Sequence, residues 1–83
     1  MKDKNRGERL KIYDFQGKKN ISGEHIRAAR LKRRLSQSDF AARIQAEGVT
    51  MERDSISRIE IGMRFIPDYE IPIFARVLGV SVL

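Results

Sequence analysis

The sequence predicts an all-α fold, a small bundle of four to five helices, and three observations carry that expectation. Apolar residues recur at i, i+3 and i+4 in successive short windows. Capping residues open those windows and glycines close them. With 83 residues, 41% hydrophobic and 34% charged, the chain has material for one small domain whose helices pack locally.

The elements follow in order. Residues 1–21 mix charges, two glycines and one apolar knot (Leu10, Ile12, Tyr13, Phe15) without helical periodicity, and are expected to form a basic N-terminal arm ahead of a domain at 22–83. Ser22 is placed to cap a first helix over about Gly23 to Arg34, with Glu24 complementing its dipole and Ile26, Ala29 and Arg30 on one face. Ser36 and Asp39 form a capping-box-like pair before Phe40, Ala41 and Ile44, which predicts a second helix from about Gln37 to Ala46, stopped by Gly48. Val49 and Met51 plug the turn. Ile56 and Ile59 then define the buried face of a third helix, about Glu52 to Ile61, ending at Gly62. The stretch PDYEIPIFARVLG reads as a fourth helix with Asp68 near its start, Pro72 in its first turn and Gly79 as its stop. Ser81 has the look of a cap for a fifth helix.

Composition excludes several functions. There is no Cys and one His, so neither a disulfide framework, a thiol nucleophile nor a zinc site is expected. No P-loop or paired-glycine nucleotide motif is present, and catalysis and a cofactor are not expected. His25 reads as a surface residue. No apolar run approaches the ~18 residues of a membrane span, and the N-terminus lacks the apolar core of a signal peptide, so a cytoplasmic protein is expected. Charge is uneven: residues 1–34 carry 12 Lys/Arg against four Asp/Glu, and residues 35–83 carry five against seven. Such a split fits a polyanionic partner, and equally a solubilising tail.

Four fragments carry a resemblance. They are Leu35-Ser36-Gln37, then Phe40, Ala41, Arg43 and Ile44, then Ile56-Ser57-Arg58-Ile59-Glu60 with Gly62, and finally Asp68-Tyr69-Glu70 with Ala75 to Val82. In this order and near-spacing the chain resembles the phage-repressor, Cro-like (XRE) helix-turn-helix family of transcriptional regulators over residues 23–83, in its longer-turn branch. The turn QAEGVTMER exceeds that of the phage prototypes by several residues, which costs little loop entropy. Glu52 stands where the family usually has a Ser or Thr cap, and Thr50 is the alternative cap. The resemblance implies phosphate contacts from Gln37 and Arg64 and an ion pair of Arg30 with Glu60. It also implies a possible homodimer on a two-fold symmetric operator, the chain alone being a monomer.

Helix geometry makes its own case for double-stranded DNA. A helix about 12 Å across fits the major groove. With Ile56 and Ile59 inward, the 100° step per residue turns Arg53, Asp54, Ser57 and Arg58 outward. Arg can fork onto guanine O6 and N7, Asp can accept from a cytosine amino group, and Ser serves either. The plainer reading is a solvated face with an Asp54–Arg58 pair worth ~0.3 kcal/mol, Gln37 being only a helix former and Arg30 and Glu60 unrelated surface charges. The alternative function is a protein-interaction module, such as an antitoxin or adaptor on the same fold. The arm either lies along DNA phosphates or docks on the protein through its apolar knot.

Overall fold

The computed structural model describes residues 17–81. Among them are α1 (Gly23–Lys32), α2 (Gln37–Ala46), α3 (Arg53–Glu60), a 3-10 turn (Asp68–Glu70) and α4 (Ile71–Leu78), with no strand. The small all-α bundle expected from the sequence is therefore present, with four helices. The apolar knot of the arm and the fifth helix expected after Ser81 lie outside the described residues.

Packing follows from the spacing of apolar residues. Ile26 of α1, Phe40, Ala41 and Ile44 of α2, Ile56 and Ile59 of α3, and Phe74, Val77 and Leu78 of α4 enclose one core, which Leu35 and Met51 close from the two connecting turns. Phe40 and Phe74 meet with ring centroids 5.7 Å apart and planes tilted by 56°. This offset geometry favours the edge of one ring toward the face of the other. α2 packs on α3 and α4, and α1 packs on the same two helices. No helix of the described residues is long and apolar enough to cross a membrane.

Both ends of α1 differ from expectation. α1 stops at Lys32, two residues early, because Arg34 turns left-handed at φ 60. The Leu35 N–H then bonds back to Arg30 O at 3.1 Å, a closing turn that usually places glycine where Arg34 stands. Arg33 extends the same end outward: its guanidinium donates to Leu78 O at 3.0 Å, satisfying a carbonyl at the C-terminus of α4. At the start of α1, Ser22 holds the cap position without a side-chain bond, and Asn20 caps instead, its Oδ1 accepting from Gly23 N at 2.8 Å.

The fourth helix is split. Pro72 has no N–H to give to the carbonyl of Asp68 and its ring would crowd that carbonyl, so α-helix cannot start as early as Asp68. Residues 68–70 instead form the tighter turn, with Glu70 N donating to Pro67 O at 2.9 Å, and α4 begins with Pro72 in its first turn. Gly48, Gly62 and Gly79 take left-handed φ at the three expected stops.

Candidate nucleic-acid interface

α2 opens with a reciprocal cap. Ser36 Oγ accepts from Asp39 N at 2.9 Å and Asp39 Oδ2 accepts from Ser36 N at 3.3 Å. The box fixes where the helix begins, and with it the direction of the next side chain, Gln37. That side chain is half-buried, and its Nε2 donates to Glu60 Oε1 at 3.1 Å.

Glu60 is the hub of the two-helix unit formed by α2 and α3. Its carboxylate, 2% exposed, also receives the Arg30 fork, Nε to Oε2 at 2.6 Å and Nη2 to Oε1 at 3.0 Å. The remaining Arg30 Nη1 donates to Leu35 O at 2.8 Å. One buried carboxylate thus joins α1, α2 and α3, and the Arg30–Glu60 pair is a structural element. A buried charge pair adds little net stability over an apolar replacement but is costly to break by removing one partner.

The outward face of α3 has the opposite character. Arg53, Asp54, Ser57 and Arg58 fall within an arc of about 140° at 100° per residue, away from the buried Ile56 and Ile59. Arg53, Asp54 and Arg58 are exposed and Ser57 is half-buried. Asp54 pairs with its neighbour Arg53 at 3.3 Å rather than with Arg58, and Arg58 has no ionic partner among the described residues. Glu52 occupies the cap position of α3 with extended backbone and no side-chain bond, and Thr50 stands two residues upstream of that position.

Arg64 is the expected contact residue whose surroundings differ most from a free surface cation. It forks onto Glu70, Nη1 to Oε1 at 3.0 Å and Nη2 to Oε2 at 3.2 Å, and Nη1 also reaches Phe65 O at 3.0 Å. Glu70 is buried at 3% and Arg64 is 26% exposed. Gln37 and Arg64 therefore share one arrangement, a donor group held by a buried carboxylate with part of its surface left to solvent. The sequence marks Glu70 only as part of a family fragment, with no role for its carboxylate, and does not mark Asn20. Nothing local in the Asp68-Tyr69-Glu70 fragment points to an Arg64 pair, and the partners of Asn20 lie 39 and 44 residues away.

Residues 17–21 depart from a free arm. Lys19 N donates to Gly62 O at 2.7 Å, Lys19 Nζ lies 5.4 Å from the centroid of the Phe65 ring, and Lys18 pairs with Glu24 at 3.1 Å. They form a strap along the end of α3 and the loop that follows it. No protein-family model matches the chain, and no curated protein matches it.

Proposed function

We propose that this domain binds double-stranded DNA with α3 in the major groove and acts as a cytoplasmic transcriptional regulator of the Cro-like helix-turn-helix kind. The observation that carries the reading is the contrast on α3 between a side locked through Glu60 to two other helices and an outward face of four polar residues with little internal bonding. A rigid helix with an uncommitted polar face is what base reading requires, because groups held in place lose less entropy on contact.

In this mechanism Arg53 and Arg58 fork onto guanine O6 and N7, Asp54 accepts from a cytosine amino group, and Ser57 bonds either base edge. Exchange of the exposed Arg53–Asp54 pair for bases costs at most about 1 kcal/mol. The second amide hydrogen of Gln37, beside the unbonded N–H groups of the first turn of α2, serves a backbone phosphate. Arg64 offers a phosphate the part of its guanidinium that Glu70 leaves open. These phosphate contacts position without reading.

Selection of binding sites from a random duplex pool tests the proposal. The expected outcome is an enriched sequence whose log K falls linearly with log salt, by about 0.9 for each phosphate neutralised on duplex DNA. A pool that yields no enriched sequence would overturn it. Salt-insensitive binding to a polypeptide would then favour the protein-interaction alternative.

A further inference from the structure

One side chain outside the two-helix unit reaches three parts of the frame around α3. The two hydrogens of Asn20 Nδ2 serve Ile59 O at 3.0 Å, in the last turn of α3, and Arg64 O at 2.8 Å, in the following loop. Its Oδ1 accepts from Gly23 N at 2.8 Å, at the start of α1. Both donor hydrogens and the acceptor of the amide are used. The neighbouring backbone bond from Lys19 N to Gly62 O ties the strap to the same end of α3. The helices meet closely here, since a Cβ added to Gly23 would fall 2.2 Å from Ile59 O.

A cap for α1 needs only the Oδ1 acceptor. The two donors face the other way, into carbonyls of α3 and of the loop that bears Arg64. We propose that Asn20 is a positioning residue for DNA reading: it sets how α3 and the Arg64 loop lie on α1, and through them where Arg53, Arg58 and Arg64 meet the duplex. The inference rests on the DNA reading above. The lever is short and stiff. α3 has eight residues, about 12 Å of helix, so a tilt of about 10° displaces one end relative to the other by about 2 Å, beyond the ~0.5 Å tolerance of a preorganised contact.

Asn20→Asp separates the latch from the cap. Asp caps a helix as well as Asn does, but it replaces the Nδ2 donor with an oxygen facing two carbonyl oxygens. Binding of wild type, Asn20→Asp and Asn20→Ala is measured on the duplex that wild type selects and on a scrambled duplex, below the melting temperature of each protein. Both variants are expected to bind the selected duplex about tenfold more weakly, the order of one lost base contact, with the scrambled duplex unchanged. Asn20→Asp binding like wild type would reduce Asn20 to a cap and overturn the inference. An equal loss on both duplexes would overturn it too, since reading would then be untouched. If neither variant folds, Lys19→Pro, which deletes the strap's backbone donor to Gly62, has to lower discrimination in the same way, and full discrimination in that variant refutes the latch. If wild type selects no duplex, the DNA reading itself fails and takes the inference with it. Selection by wild type with no loss in Asn20→Asp leaves the reading standing and removes only the latch.

Discussion

At its C-terminal end α3 is fastened from three directions: Arg30 and Gln37 converge on Glu60, and Asn20 holds the Ile59 carbonyl. At its N-terminal end it has no side-chain cap, and its first two residues form an exposed pair with each other. An eight-residue helix has two turns and cannot hold itself in water, so its order comes from packing and from the fastened end. The difference teaches that the residues fixing α3 and the residues proposed to read DNA are divided around the helix, since Arg58 lies in its last turn and yet points away from the fastened side. Partners that fix α3 are collected where they do not occupy the outward side chains, and the residues free to bond a ligand are left with few internal bonds.

The strongest way to break that division is at the fastened end. Glu60→Ala leaves the Arg30 guanidinium buried without its carboxylate, and removal of one partner of a buried pair costs about 3–5 kcal/mol. Urea denaturation is expected to register a loss of that size, a large share of the stability of so small a domain. A loss below about 1 kcal/mol would mean that the helix is held elsewhere.

The outward face is expected to respond in binding and not in folding. Arg58→Ala removes no ionic partner among the described residues, so its stability should stay within about 0.5 kcal/mol of wild type. Its affinity for the selected duplex should fall by about 1–3 kcal/mol, with relaxed preference at one base position. Arg53→Ala is expected to do the same at another position. Gln37→Ala belongs to the other class: it weakens all duplexes alike, and it costs about 1 kcal/mol of stability as Glu60 loses a donor. Identical profiles for the three variants across a panel of duplexes would erase the distinction between the outward face of α3 and its fastened side.

What the sequence makes legible follows the same line. Caps and periodicity act within four residues, and they located α2 from Ser36 to Ala46 and the buried pair Ile56 and Ile59. Pro72 signals a first turn, whereas its effect on the carbonyl four residues earlier, which splits the helix into a 3-10 turn and α4, shows only in the structure. The early end of α1 was hidden because Arg34 adopts a backbone conformation that glycine usually signals. Bonds spanning the chain leave no local trace: Asn20 to Ile59 and Arg33 to Leu78 have no periodic signature. Arg30 with Glu60 was expected only through the resemblance, and Arg64 with Glu70 had neither source. At the interface, the outward set on α3 could be counted from helix geometry alone, whereas the frame that holds it could not.

The smallest effect sharpens the comparison from the free end. Glu52 holds the cap position of α3 at φ −125 and ψ 160, the extended backbone from which a short side-chain oxygen reaches the N–H groups of the first turn, yet its longer side chain makes no such bond. Glu52→Ser supplies that oxygen and is expected to raise stability by about 0.5–1 kcal/mol, read from the urea midpoint at unchanged m-value. Glu52→Ala removes the same charge without adding a cap, and its stability should stay near that of wild type. Both remove a negative charge at the end of the helix proposed to enter the groove, so both are expected to tighten DNA binding modestly, more at low salt than at high salt. A gain in stability confined to Ser, with a gain in affinity shared by Ser and Ala, would separate the folding role of this position from its electrostatic one. Tighter binding in Ser alone would mean instead that a firmly capped N-terminus aids recognition, and that the free end of α3 is looser than reading requires.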